Sequence, residues 1–236
     1  MIPQSGKAIM KGMVLLAMIA GVTSALAPAS ASAVPSKHGV RPTVTAVSNG
    51  SATHGIPLHS ATVPTRSLPA ATQRAVKAAH PTATPNSITV YELVNYQDDK
   101  CLDAATQGIY GSGDKVQVWA CFNDPSGHPN QWWWPAQSAN GYTELVNYQS
   151  GLCLDADNSR GFLDGAKVQE WTCFNDPSGH PNQWWYFGPH GQTTTLPNLW
   201  GGGSKVLDAA SPWINYDGDY VQLWSYLGGS NQFWWQ

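Results

Sequence analysis

From residue 88 to the end of the chain, apolar residues come in short alternating runs rather than at helical spacing. ELVNY from Glu92, KCLDA from Lys100, KVQVWAC from Lys115 and QWWW from Gln131 each have the length and the period of two of a half-buried strand. Between them lie DDK, YGSGD and NDPSGHPN, whose Gly, Asn, Asp and Pro favour turns and would interrupt a long helix. The pattern predicts an all-β region built from strands of about four to seven residues.

That pattern recurs. CFNDPSGHPNQWW runs from Cys121 to Trp133 and again, unchanged, from Cys173 to Trp185, a period of 173 − 121 = 52. At the same offset ELVNYQ starts at Glu92 and Glu144, CLDA at Cys101 and Cys153, and KVQ at Lys115 and Lys167. A third, divergent unit carries VLDA from Val206, YVQLW from Tyr220 and NQFW from Asn231. Its offset from unit two is 206 − 153 = 53 at the first motif and 231 − 182 = 49 at the last, so the loop before its Asn-Gln pair is four residues shorter. A single such unit cannot bury its own apolar face, so three must share one core. The predicted units span about 90–138, 142–190 and 195–236 within a domain from 88 to 236.

Composition changes sharply near residue 90. All fifteen acidic residues and every aromatic residue lie from position 91 onward. The stretch 34–87 is rich in Ala, Ser, Thr, Pro and Val, and by composition it cannot bury enough surface to offset the entropy of ordering it; a disordered linker or pro-segment is predicted there. Residues 1–33 read as a secretory signal peptide, with Lys7 and Lys11 before the apolar run from Met13 to Ala20 and small residues at Ala31-Ser32-Ala33. The run is broken by Gly21, Thr23 and Ser24 before reaching a membrane-spanning length, so no membrane insertion is expected and the protein is predicted to be secreted.

An exported chain can hold disulfides, and four cysteines allow three pairings. If repeated units are built alike, the two cysteines twenty residues apart within each unit pair with one another, Cys101 with Cys121 and Cys153 with Cys173. Unit three has Val206 and Tyr226 at these places. A metal site is disfavoured, because no CxxC occurs and histidines are few.

Alternation along KVQxW sets Val116 and Val168 on one face with the variable residue Val118, Glu170 or Leu223. Gln117, Trp119, Gln169, Trp171, Gln222 and Trp224 fall on the other. Each unit then offers an aspartate (Asp103, Asp155, Asp208), a tryptophan outside the core pattern, and an Asn-Gln pair: Asn130 and Gln131, Asn182 and Gln183, Asn231 and Gln232. A carboxylate and amides can make paired hydrogen bonds to neighbouring hydroxyls while an aromatic face covers the C–H side of a pyranose. The same residues could instead satisfy turn backbone and fill core. Their threefold recurrence in register favours binding.

At these residues the chain resembles the ricin B-type lectin family, over about Val90 to Trp235. The family's Q-x-W signature is met at Gln131-Trp132-Trp133, Gln183-Trp184-Trp185 and Gln232-Phe233-Trp234. The resemblance implies a β-trefoil with a pseudo-threefold axis, the last Trp of each signature in the shared core, and one shallow sugar site per unit. Those sites would hold Asp103, Asp155 or Asp208, with Trp119, Trp171 or Trp224 stacking on the sugar and the Asn-Gln pair beside them. Galactose-like or pentose-containing glycans are the ligands it implies. Departures are the missing third disulfide and the DPSGHP insert in units one and two.

Other functions fit less well. A glycosidase needs two carboxylates facing one cleft, whereas here the constellations are spread over the repeats; His128 and His180, with Ser126 and Ser178 nearby, come in two equal copies, unlike one tuned centre. Nucleic acid is opposed by charge, since residues from 91 onward carry 5 − 15 = −10. Asp155-Ala156-Asp157-Asn158 begins like a calcium loop, but its sixth position is Arg160. A protein-binding trefoil such as a protease inhibitor is the alternative. The sequence thus predicts a monomeric, non-catalytic binder of glycans or polysaccharides, with no cofactor.

Overall fold

A computed structural model of the chain describes residues 59–105, 111–189, 191–210 and 215–236. The expected signal peptide and the linker up to residue 58 lie outside the described residues.

The strands are short and mostly where alternation places them. Unit one holds β2 (Ser87–Glu92), β3 (Val94–Asn95), β4 (Lys100–Ala104), β5 (Val116–Ala120) and β6 (Trp132–Ala139), preceded by β1 (Ser60–Pro64) outside the repeat. Unit two holds β7 (Tyr142–Asn147), β8 (Cys153–Ala156), β9 (Ala166–Trp171) and β10 (Trp184–Tyr186). Unit three holds β11 (Thr193–Thr194), β12 (Lys205–Ala209), β13 (Val221–Ser225) and β14 (Trp234–Trp235).

The first and last strands of the units join in a ring. β2 pairs with β6, β6 with β7, and β7 with β10; a bridge from Trp185 to Asn198 leads on to unit three, where β11 pairs with β14 and β14 returns to β3. The middle strands form the hairpins β4–β5, β8–β9 and β12–β13. These hairpins touch one another in a second ring through Lys115 with Gln169, Gln222 with Lys167, and Gln117 with Tyr220. This is the β-trefoil. Its core stacks equivalent residues of the three units, Leu93, Leu145 and Leu196 with Trp133, Trp185 and Trp234, all at 0% exposure. Each of these indoles donates from Nε1 to a carbonyl of its own unit's hairpin, Leu102, Leu154 or Leu207, at 3.0, 2.9 and 3.1 Å.

Both disulfides close within their units, Cys101–Cys121 and Cys153–Cys173, each with Cα atoms 5.1 Å apart. In unit three Val206 is buried, while Tyr226 is largely exposed and packs edge-on to Phe233.

Residues 59–87 correct the expectation of a disordered linker. β1 runs antiparallel to β2 from Ser60 opposite Tyr91 to Pro64 opposite Ser87, and α1 (Ala70–Ala79) follows. The helix is alanine-rich, which favours helix. Its buried Val76, with Leu68 before it, joins a cluster containing Trp132, Trp134, Val146 and Tyr148. Thr72 donates to the Tyr148 carbonyl at 2.5 Å. Gly151 permits the approach: a Cβ there would stand 2.6 Å from the Ala71 carbonyl carbon. Composition correctly denies this segment a core of its own, but the segment is ordered on apolar surface that the trefoil supplies.

Candidate functional site

Each hairpin ends with its aspartate opposite a glutamine of the partner strand: Asp103 faces Gln117 in the β4–β5 ladder, Asp155 faces Gln169, and Asp208 faces Gln222. The carboxylates are nearly buried, at 4%, 4% and 3% exposure. In unit one Gln117 Nε2 donates to Asp103 Oδ1 at 2.9 Å, while Asn130 Nδ2 and Gln131 Nε2 donate to Oδ2 at 2.8 and 3.1 Å. Unit two repeats this on Asp155 with Gln169, Asn182 and Gln183 at 3.1, 2.8 and 3.0 Å. Unit three repeats it on Asp208 with Gln222, Asn231 and Gln232 at 2.9, 2.9 and 3.0 Å.

The Asn-Gln pairs sit on one-turn 3-10 helices, and in units one and two Pro129 or Pro181 opens that turn. Asn130 also donates to the Ala104 carbonyl at 3.0 Å. Gln131 donates to the Ala120 carbonyl and accepts from the Phe122 backbone, both at 3.0 Å. Gln131, Gln183 and Gln232 are 0%, 0% and 1% exposed. This departs from the expectation that they contact a ligand: with both ends of each amide engaged inside the protein, they position the aspartate. Asn130, Asn182 and Asn231 are buried to 7%, 5% and 7%, with the same grip on the carboxylate.

Burial pushes the Asp103, Asp155 and Asp208 carboxyls above the usual range, and the amide hydrogen bonds partly offset it. Asp155 is moved furthest, to about 6, with Asp157 adding repulsion. A carboxylate has roughly four acceptor directions. Three are filled by amide donors in each centre, which leaves one for a hydroxyl. Two residues beyond each opposed glutamine, on the same side of the strand, Trp119, Trp171 and Trp224 are half-buried.

Each tryptophan rests on a turn of a different unit. A Cβ on Gly218 would stand 3.6 Å from Trp119, one on Gly113 3.7 Å from Trp171, and one on Gly165 3.6 Å from Trp224. The three glycines have φ of +93, +98 and +81°, the left-handed region that disfavours side chains. The residue before each glycine accepts from the backbone after each tryptophan: Asp217 from Ala120 N–H at 2.9 Å, Ser112 from Thr172 at 3.0 Å, Asp164 from Ser225 at 2.7 Å. Sequence reasoning missed these partners. The glycine register was visible, at 165 − 113 = 52 and 218 − 165 = 53, but which unit abuts which was not.

In units one and two the loop between tryptophan and asparagine carries an aromatic pair. Phe122 lies parallel to His128 with centroids 3.7 Å apart and 10° between planes; Phe174 and His180 repeat this at 3.6 Å and 11°. Glu92 and Glu144 accept from the backbone of Asn123 and Asn175 at 3.1 and 3.0 Å, fixing the loop from the barrel side.

Two family models match the chain: one described as a ricin-type beta-trefoil lectin domain-like family over residues 81–171, and one described as a ricin-type beta-trefoil lectin domain over residues 141–236. Together they span 81–236. Among solved structures, a designed threefold symmetric protein, ThreeFoil, is 32% identical with a TM-score of 0.52, covering 62% of this chain and 96% of that one. An exo-beta-1,3-galactanase from Clostridium thermocellum is 30% identical with a TM-score of 0.51; the match covers 62% of this chain and 29% of the galactanase. The Rhizoctonia solani agglutinin, 18% identical with a TM-score of 0.50 over 62% of this chain and 92% of that one, shares the fold. No curated protein matches in sequence.

Proposed function

The trefoil belongs to the ricin B-type lectin family, a carbohydrate-binding family, and on that premise we propose that this chain is a secreted, non-catalytic lectin whose three centres each bind one sugar ring of a galactose-containing glycan or polysaccharide. The observation that carries the reading is the threefold recurrence of one arrangement: an aspartate gripped by three amides with a single acceptor direction left, and a half-buried tryptophan on the adjacent strand. In this reading the aspartate accepts from a ring hydroxyl and the indole covers the C–H face, Trp119 serving unit one, Trp171 unit two and Trp224 unit three. Gln131, Gln183 and Gln232 act one step back, holding the carboxylate in place.

Galactose is favoured by the likeness to the galactanase. Secretion is favoured by the leader-like first residues and by the two disulfides. Shallow centres bind weakly one at a time, but three on one trefoil reinforce one another on a polysaccharide through effective concentration. Retention of the whole protein on a galactan column, lost in the triple variant Trp119→Ala, Trp171→Ala, Trp224→Ala with its melting transition largely kept, is the expected result. Retention unchanged in that variant would remove the centres from the reading.

A further inference from the structure

We propose that the parallel aromatic pairs Phe122–His128 and Phe174–His180 form a second subsite in units one and two, which takes the C–H face of the pyranose ring next to the one held at Asp103 or Asp155; this rests on the sugar-binding reading of those centres.

The placement follows from bonds already described. The Phe122 N–H donates to Gln131 Oε1 at 3.0 Å, and Nε2 of that same amide donates to Asp103 Oδ2. The backbone nitrogen of Phe122 is therefore one side-chain amide away from the carboxylate. Along the chain it lies three residues after Trp119, which is at most about 10 Å of extended backbone. That is the reach of a disaccharide rather than of one ring. His128, stacked on the phenyl, is two residues before Asn130, so the aromatic pair is tied to the centre from both sides. Unit two repeats every link, with Phe174 N–H to Gln183 Oε1 at 3.1 Å.

The phenyl rings remain open, Phe122 being 46% and Phe174 42% exposed. A flat aromatic ring held parallel on an imidazole, with much of its surface in water, is suited to cover a pyranose. The bland alternative is that the pair merely stiffens the loop. Unit three argues against it. Its loop is four residues shorter, has no histidine, and carries Leu227 in place of the phenylalanine. Yet Asn231 and Gln232 reach Asp208 at 2.9 and 3.0 Å, as in the other units. The longer loop also has its own anchors: Asp124 accepts from Ser126 and His128 N–H, both at 2.9 Å, and Glu92 holds Asn123. The aromatic pair is thus not needed to build the centre, and units one and two should read two consecutive rings where unit three reads one.

Calorimetric titration of the whole protein with galactose, β-1,3-galactobiose and β-1,3-galactotriose tests this. Wild type should gain about tenfold in affinity from galactose to the longer sugars. Phe122→Ala with Phe174→Ala should lose that gain and keep galactose affinity within about twofold, with an unchanged melting transition. Phe122→Leu with Phe174→Leu, the side chain unit three tolerates at Leu227, serves if the alanine protein folds poorly. The inference is overturned if wild type shows no gain with length, if the variants retain the gain, or if galactose binding falls as far as that of the longer sugars. Binding of none of the three sugars by wild type would instead overturn the galactose reading itself, and the subsite with it.

Discussion

Asn147 reaches from unit two into unit one, where its Nδ2 donates to the Asn130 carbonyl at 2.9 Å. The same bond closes the other two steps of the ring, Asn198 to Asn182 and Asn95 to Asn231, both at 3.0 Å. Each Asn-Gln turn is therefore held by the unit that follows it around the axis, and no centre is complete within its own repeat. Removing the amide leaves a buried carbonyl unpaired and frees the 3-10 turn that presents Asn130 and Gln131 to Asp103. Asn147→Ala should cost on the order of 3 kcal/mol in a denaturant titration. With Asp155→Ala and Asp208→Ala in the background, it should also weaken the remaining unit-one binding severalfold; equal affinity with and without Asn147 would detach this bond from the site.

The two classes of tryptophan should separate in stability. Trp133, Trp185 and Trp234 are fully buried and each donates to a hairpin carbonyl. Replacing one by alanine opens a large cavity and should cost about 3 to 5 kcal/mol. Trp119→Ala removes a half-buried ring resting on Gly218, so it should cost far less stability and appear mainly as lost sugar affinity. Equal destabilisation in the two classes would contradict the division of faces.

The Asp, Trp and Asn-Gln sets were legible in the sequence because a repeat fixes register, and register in paired strands fixes which side chains meet: Asp103 and Gln117 are opposed because CLDA and VQVW are opposed. The role of Gln131 was not legible. Polar type and repetition predict a hydrogen-bonding residue, but whether it points to water or inward depends on the 3-10 turn, which has no alternation to read. The contact of Trp119 with Gly218 was hidden for another reason. It spans 218 − 119 = 99 residues, and only the direction of winding around the axis decides which unit's turn it meets. The helix Ala70–Ala79 escaped because composition tests whether a segment can bury its own core, and this one borrows a neighbour's.

Glu170 stands at the register of Val118 and Leu223, fully buried, with Oε1 bonded to Ser150 Oγ at 2.5 Å. Burial pushes its carboxyl up to about 7, the Ser150 bond pulling against this and the Asp114 and Asp103 charges adding to it. A carboxyl raised in the fold is disfavoured as the anion, so its contribution to stability is greatest below the unfolded value near 4.5 and is lost as pH rises through 7. Above that the penalty is on the order of 3 kcal/mol. Glu170→Gln should therefore stabilise the protein at pH 8 and change little at pH 4. Melting temperatures at the two values check it, and a pH-independent difference would assign the effect to packing.

Units one and two should also lose their ligand at different pH. Asp155 is raised to about 6 by burial, with repulsion from Asp157; Asp103 is raised for the same main reason but less far. Protonation removes the free acceptor direction and sets an O–H among three N–H donors, so it should abolish the bond to a sugar hydroxyl. Unit two should then release its ligand as pH falls through about 6, while unit one holds on to lower pH. The fold itself should not fail at that point through Asp155, because a carboxyl with a raised value is more easily protonated folded than unfolded, and acid relieves its penalty. Binding loss and unfolding are thus separable. Titrating the Asp103→Ala, Asp208→Ala protein, in which unit two alone remains, against the Asp155→Ala, Asp208→Ala protein from pH 8 to pH 4 should give a higher midpoint for the first, with circular dichroism constant through it. A flat profile for unit two across pH 6 would mean that the Asp155 carboxylate does not accept the hydroxyl.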